Sequence, residues 1–347
     1  MLDVKARGRC AIDKETAFWL SSLPMDWRVA VLIPCRNEEA AISAVVRDFR
    51  AALPGATVYV YDNGSSDRTA DIARAAGAVV RSEPLPGKGN VVRRMFADVE
   101  ADVYVLVDGD DTYHAPSAPA MLARLVREQL DMVNGVRRTE IDAAYRAGHR
   151  LGNVVLTSIV ARIFGNRSRD MLSGYRVFSR RFVKSFPALS AGFEIETEFT
   201  VHALELRMPI AEMETPYKDR PPGSHSKLNT FRDGLRILRT ILVLVKEERP
   251  LQFFGVICGV LAAISVLLAV PIFRTYELTG LVPRLPTAVL STGIMILASL
   301  SLACGLVLDT VTRGRRELKR LHYLQVSAAT EATLRERKPD AKRTAAS

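Results

Sequence analysis

Two runs without a single charged side chain, 251–273 and 285–308, constrain this chain more than anything else in it. Each is longer than the ~20 residues a helix needs to cross the hydrocarbon core of a bilayer. A helix buried inside a soluble core has similar composition, but two such runs separated only by 274–284 favour a membrane hairpin. Pro250, Pro283 and Pro286 stand near their ends, and Pro271 falls in the last turn expected of the first. The loop carries Arg274, Glu277 and Arg284, whereas the outer flank carries Arg313, Arg315, Arg316, Lys319 and Arg320. That bias predicts a multi-pass inner-membrane protein whose part upstream of the hairpin and both termini are cytoplasmic. Before the first run, Phe231, Leu235, Leu238, Leu242 and Val245 recur at steps of four and three, with Arg232, Arg236, Arg239 and Lys246 between them. This spacing predicts an interfacial amphipathic helix over 231–250. A second basic amphipathic stretch, 145–165, reads equally well as interfacial or as an ordinary core helix.

Upstream, strand and helix patterns alternate. Strands are expected at 29–33, where Pro34 stops the run, and at 57–61, 78–80, 103–107 and 132–135. Helices are expected from Ile42 to Leu53, from the Pro86-Gly87-Lys88-Gly89-Asn90 turn to Val99, and over 121–129. Alternation with polar loops after the strands predicts an α/β domain, Rossmann-like, with a mostly parallel sheet, over 28–230. Residues 1–27 form an N-terminal extension with a short helix at 13–20 and no apolar core of signal-peptide length. Beyond the hairpin, 251–311, lies a basic tail, 312–347, expected to be partly disordered.

Lys and Arg number 48 against 38 Asp and Glu, a net charge of +10 and a pI near 9.6. Such a balance suits a polyanionic partner, but no long basic run or nucleic-acid motif accompanies it, so a membrane or a phosphorylated substrate is favoured over nucleic acid. Cys10, Cys35, Cys258 and Cys304 lie far apart and have no metal-ligand spacing.

The chemistry concentrates where strands end. Val103-Tyr104-Val105-Leu106-Val107 runs into Asp108-Gly109-Asp110-Asp111. Ligands of open α/β sheets sit at the carboxyl ends of strands. Carboxylates crowded there repel one another unless a hard cation is shared, so Asp108 and Asp110 are the candidate metal and diphosphate site, with Gly109 allowing a tight turn. Pro34, Arg36, Asn37 and Glu38 follow the first strand; Asp62 and Asn63 follow the second. The carboxylates of these two loops suit hydrogen bonds to a base and a ribose, and Lys88, between two glycines, adds a cation that can approach closely. Asp-Gly is also a common turn dipeptide, so the weight rests on the order of all three loops. Ser66 or Asp67 is expected to cap the helix that follows. His114, His202 and His225 share no metal spacing. Glu194, Glu196 and Glu198 read as a mostly solvated helical face, with room for one to orient an arginine.

These motifs together resemble inverting glycosyltransferases of family 2 with the GT-A fold. More narrowly, they resemble the polyprenyl-phosphate group, which includes dolichol-phosphate mannosyltransferases and bacterial undecaprenyl-phosphate glycosyltransferases. Ile33-Pro34-Cys35-Arg36-Asn37-Glu38-Glu39 is similar to the opening motif of that group, Asp62-Asn63-Gly64-Ser65-Ser66-Asp67 to its second, Gly87-Lys88-Gly89 to its lysine turn and Asp108-Gly109-Asp110 to its metal motif. Ser173-Gly174-Tyr175-Arg176-Val177-Phe178 and the later Arg220, Gly223, Ser226, Lys227 and Leu228 complete the likeness, which spans about 29–250 and continues in the hairpin. Asn63 departs from a second aspartate, and Thr112 stands where many relatives carry Gln or Ser.

The resemblance implies a metal-dependent transfer, with Mg2+ or Mn2+, from a UDP- or GDP-linked sugar to a polyprenyl phosphate, with inversion. Pro34, Arg36, Glu38, Asp62, Asn63, Lys88, Asp108 and Gly109 would hold the donor. Arg176, Arg220, Ser226 and Lys227 would hold the acceptor phosphate, and Asp110, Arg176 and Lys227 would carry catalysis. Two other readings stay open. A membrane polysaccharide synthase shares the catalytic domain, but it usually carries more membrane helices and a Gln-x-x-Arg-Trp motif that is absent here. A non-catalytic scaffold that binds nucleotide-sugar is the other. The identity of sugar, base and polyprenol and the oligomeric state, including a homo-oligomer, are not encoded in these motifs.

Overall fold

The computed structural model describes residues 27–138, 169–192, 194–219, 242–243 and 245–327. The expected helices at 13–20 and 145–165, most of the interfacial helix and the end of the tail lie outside the described residues. The chain divides into two units, Met1–Thr230 with Arg320–Ser347, and Phe231–Lys319.

The first unit contains β1 (Val29–Cys35), α1 (Ile42–Ala52), β2 (Thr57–Asp62), α2 (Thr69–Ala75), β3 (Val79–Ser82), α3 (Lys88–Asp98), β4 (Val103–Leu106), α4 (Ala118–Arg127), β5 (Met132–Arg138), β6 (Arg176–Ser179), α5 (Arg180–Ser185), α6 (Ile195–Leu206) and β7 (Ile210–Pro216). The described strands form one sheet in the order β3-β2-β1-β4-β6-β5-β7. β6 runs antiparallel to both β4 and β5; the other pairings are parallel. The sheet is therefore mixed but mostly parallel.

Both faces are covered, as near-continuous apolar strands require. Val31, Ile33, Val103 and Val105 face one core with Ile42, Phe49, Met121 and Leu125. Ala30, Leu32, Tyr104 and Leu106 face the other with Val92, Met95, Phe182 and Phe199. β1 does not stop at Pro34 but continues to Cys35. Its pairing with β4 ends at Leu32↔Leu106, and Leu32 O accepts from Val107 N on that side. Alternation puts the missing N–H of Pro34 on the same side, past the end of β4, where no ladder bond is lost.

The second unit contains α7 (Pro250–Thr279) and α8 (Leu285–Gln325) as far as Lys319, each long and apolar enough to cross a membrane. Both run past the uncharged segments. α7 passes Pro271, its expected last turn, and stops only at Gly280, which takes a left-handed conformation with φ +67°. α8 carries on beyond 308 and through the start of the expected tail, helped by an Arg313–Asp309 pair at i,i+4 spacing. The buried residues of α8 are Ser291, Ala298, Gly305 and Thr312, small side chains one heptad apart. Ser265 and Ser291 exchange hydrogen bonds, each hydroxyl donating to the other's carbonyl at 2.8 and 3.0 Å. Gly305 lies against Phe254 and Leu251. Near the other end of the seam, Arg315 and Arg316 pair with Glu248 at 3.5 and 3.1 Å.

Candidate active site

The loops after β1 and β2 are stitched together at the carboxyl edge of the sheet. Asn37, left-handed with φ +52°, accepts from Ser66 N at 2.8 Å, and its own N–H donates to Ser65 Oγ at 2.9 Å. Glu38 N donates to Thr69 Oγ1, and Arg68 N to the Glu39 carboxylate. Asp67, rather than Ser66, serves the start of α2: its Oδ1 accepts from Thr69 N at 3.0 Å. Burial pushes the Asp67 carboxyl up, but the Thr69 hydroxyl and N–H and the Glu39 N–H outweigh it and hold it below its ordinary range. Asp62 accepts from Ser65 N through Oδ2, whereas its Oδ1 is buried without a hydrogen-bond partner among the described residues. An acceptor so placed lacks a donor.

Asn63 does something other than expected. Its amide donates to the carbonyls of Glu83 and Leu85 at 2.8 and 2.7 Å, and its Oδ1 accepts from Gly87 N at 2.7 Å. Both donors are spent on the loop that presents Lys88, a task an aspartate could not perform. The expected donor contact is corrected to a clamp.

Lys88 opens α3 and is buried. Its ammonium lies 2.5 Å from Asp108 Oδ1 and 2.6 Å from Glu196 Oε1. Burial alone would lower the Lys88 pKa, but the two carboxylates outweigh it and raise it above the ordinary lysine value. Burial raises the Glu196 carboxyl, with Lys88 pulling the other way. Glu196 is thus no solvated surface carboxylate, as the sequence suggested, but the second seat of Lys88. Glu198 is also engaged, accepting from Leu189 N and Ser190 N.

Around Asp108 the backbone is crowded. A Cβ at Gly109 would meet Cys35 Sγ, and one at Gly174 would run into the Asp108 carboxylate. Gly109 is needed for close approach rather than for a left-handed turn; the left-handed residue here is Asp111, with φ +56°. Asp110 is buried and accepts from the Thr112 hydroxyl at 2.6 Å, so Thr112 orients that carboxylate. Tyr113 O–H accepts from Gly174 N at 2.8 Å, pinning the β6 approach against the metal motif.

Arg176 is the largest correction. It is 0% exposed, donating to Ser173 O, Met171 O and Thr200 Oγ1 and lying 5.5 Å over the Phe199 ring. A guanidinium so enclosed holds β6 against α6 and presents no face to a phosphate. Nor does it pair with Asp170, which is bound in bidentate fashion by Arg137 at 2.7 and 2.8 Å. The Arg137 side chain is 16% exposed and its charge acts on Glu196 and Tyr113. Arg220, Ser226 and Lys227 lie outside the described residues.

Hard carboxylate oxygens at the end of β4 suit Mg2+ or Mn2+. Among the described residues no group of three His, Cys, Asp or Glu forms a metal cage. Two carboxylates fit an ion that completes its shell with phosphate oxygens and water.

Comparison with known proteins bears on this geometry. Residues 30–186 match the family model "Glycosyl transferase family 2". Glycosyltransferase AglJ of Haloferax volcanii is 33% identical over 306 residues, covering 87% of this chain and 100% of that one. The chain belongs to glycosyltransferase family 2. A second family relative, a dolichyl-phosphate hexose transferase of H. volcanii, is 29% identical over 221 residues, 64% of this chain and 95% of that protein. The glycosyltransferase fold is shared with glucosyl-3-phosphoglycerate synthase of Mycobacterium tuberculosis, solved with Mn2+, UDP and glucosyl-3-phosphoglycerate: TM-score 0.55, 24% identity, 70% of this chain and 85% of that one covered. This GT-A fold puts the family motifs of the present enzyme, residues 36–39, 62–67 and 108–112, at one edge of its sheet.

The family motifs do not reveal Glu196. Nearly all of α6 is buried, from Ile195 through Leu206, so its apolar residues fall on every side and no amphipathic stripe separates inside from outside. That all-round pattern is the one signal for it: a carboxylate on such a helix has to find a cation.

Proposed function

We propose that this enzyme is a membrane-bound, inverting glycosyltransferase that moves a sugar from a UDP- or GDP-sugar to a polyprenyl phosphate. The observation that carries the reading is the buried Lys88, paired with Asp108 beside Asp110 at the sheet edge, in a chain that also exposes two long apolar helices. The name of the dolichyl-phosphate hexose transferase relative supports the acceptor class.

In this reading Asp62 Oδ1 receives a donor group of the base, and Arg36, Glu38 and the Pro34 backbone frame the nucleoside. Asp108 and Asp110 hold a divalent ion that, when bound, neutralises charge on the departing nucleoside diphosphate. Lys88, paired with Asp108, would add a second positive charge to the site. The acceptor phosphate is already largely ionised near neutral pH, so the chain supplies position rather than a strong base. Arg137 takes the phosphate-facing role first expected of Arg176, together with Arg220, Ser226 and Lys227. The positive flank 313–320 keeps the catalytic unit and both termini cytoplasmic.

The test is transfer by the full chain in detergent, using labelled UDP- and GDP-sugars with polyprenyl phosphate or with 3-phosphoglycerate. A sugar-phosphoryl-prenol of inverted anomeric configuration is expected. Label appearing only on the soluble phosphorylated acceptor would overturn the lipid assignment.

A further inference from the structure

Lys88 and Glu196 come from elements far apart in sequence, and the fold holds them together firmly. Gly89 N and Asn90 N both donate to Ala191 O, at 3.0 and 3.4 Å. A Cβ at Gly89 would lie 2.7 Å from the carbonyl carbon of Ser190, so the start of α3 abuts the segment leading into α6. Glu196 sits in the first turn of α6, where the helix dipole favours a carboxylate.

We infer that Glu196 is a positioning residue that sets the charge of the Asp108–Asp110 site for a divalent ion by sharing the Lys88 ammonium; the inference rests on the metal reading above. Asp108 and Glu196 share one ammonium, which leaves these three groups with one negative charge, two residues from the Asp110 carboxylate. The negative charge left over by this sharing is what Asp108 can offer a divalent cation. Without Glu196, Lys88 would neutralise Asp108 alone, and Asp108 would offer the ion no net charge. Without Lys88 the cluster would be more negative still. An ordinary structural ion pair predicts that losing either partner harms the site in the same direction. The charge-setting role predicts opposite directions.

The experiment measures Mn2+ affinity by electron paramagnetic resonance of the free ion, on the full chain in detergent, without nucleotide and with UDP or GDP. Thermal unfolding checks each variant's fold. Glu196→Gln should weaken Mn2+ about ten- to hundredfold, the range typical of residues behind the ligands. Lys88→Met should bind at least as tightly as the parent, and the double variant should return to about the parent affinity. If Glu196→Gln does not fold, Lys88→Met and the double variant carry the same comparison, the double binding more weakly. Unchanged affinity on loss of Glu196, or parallel weakening by Lys88→Met and Glu196→Gln, overturns the inference while leaving the metal site in place. If the parent chain binds Mn2+ no better than Asp110→Asn, the metal reading itself fails, and the charge-setting role with it.

Discussion

At the carboxyl edge of the sheet, Lys88, Glu196, Asp110 and Arg176 are polar and buried; along α7 and α8, Val256, Leu267, Val289 and Leu306 are apolar and exposed. The first set is tolerable because each charge meets a carboxylate, a hydroxyl or a carbonyl. The second fits the membrane setting proposed above, where exposed apolar side chains meet an apolar surrounding. The two regions therefore place their polar atoms by opposite rules. In the first unit polar groups organise a site. In the second, the Ser265 and Ser291 hydroxyls join one helix to its neighbour, while those of Thr275, Thr292 and Ser299 return to the carbonyl one turn back in their own helix.

The comparison breaks most visibly at Arg176. If its guanidinium is core, Arg176→Met strands the carbonyls of Met171 and Ser173 and the Thr200 hydroxyl. The cost should be about 3 kcal/mol or more, at about 1–3 kcal/mol for each buried group left unsatisfied. Thermal unfolding in detergent should show a large drop, while any folded fraction keeps its acceptor KM. A raised acceptor KM with unchanged stability would return Arg176 to the site. Asp110→Asn tests the other side of the same contrast, a buried charge kept for function. Its fold should survive, while kcat falls about a hundredfold or more, because several kcal/mol of leaving-group stabilisation depend on the ion. EDTA should reproduce the loss in the parent chain, and full turnover in excess EDTA would contradict the metal assignment.

One substitution sharpens the comparison by having opposite effects in the two regions. Gly174→Ala puts a methyl group where the Asp108 carboxylate lies, so that carboxylate has to move. Displacement of a reacting group by about 1 Å can cost up to about a hundredfold, and about tenfold is expected here with little loss of stability. Gly259→Ala in α7 meets nothing within 4 Å. It should leave activity unchanged and favour the helix by up to about 1 kcal/mol. Equal effects on kcat at both positions would remove the case for a crowded Asp108.

Much of this contrast is legible in the amino-acid sequence. The apolar runs at 29–33 and 103–107 mark buried parallel strands, and their polar ends mark the edge where the family motifs meet. Arg176 is legible too, although its motif points the other way. Strand alternation puts Arg176 on the face of Phe178, which packs into the second core, so an inward arginine follows from period two alone. Asn63 misleads because a motif comparison weighs lost charge, whereas the fold uses the amide's donors. Glu196 needs a contact between residues 108 positions apart, which no local pattern encodes. The antiparallel direction of β6 is equally hidden, because direction depends on the path of the intervening chain. Helix ends in the second unit escape the pattern because an uncharged run measures bilayer thickness, whereas α8 continues until its backbone stops at Gln325.

The smallest effect probes the seam between the long helices. Ser291→Ala removes one of two reciprocal hydroxyl–carbonyl bonds and leaves the Ser265 hydroxyl donating to the backbone of residue 291. Interhelical hydrogen bonds in membranes average about 0.6 kcal/mol, so the unfolding midpoint in detergent should move only slightly. Ser291→Leu is a different experiment at the same place. Ser291, Ala298, Gly305 and Thr312 form a line of small side chains, and Gly305 sits so close to Phe254 that a Cβ there would lie 3.0 Å from it. A leucine at one end of that line forces the helices apart and loosens the contacts along it, so it should lower the midpoint by clearly more than alanine does. Since the bonds and the close packing are separate contributions, the two variants weigh them against each other. If leucine is tolerated as well as alanine, the seam is held by its hydrogen bonds and the small residues are incidental. If alanine alone is severe, the hydroxyls of this region matter as much as the buried charges at the sheet edge, and the contrast between the two units narrows.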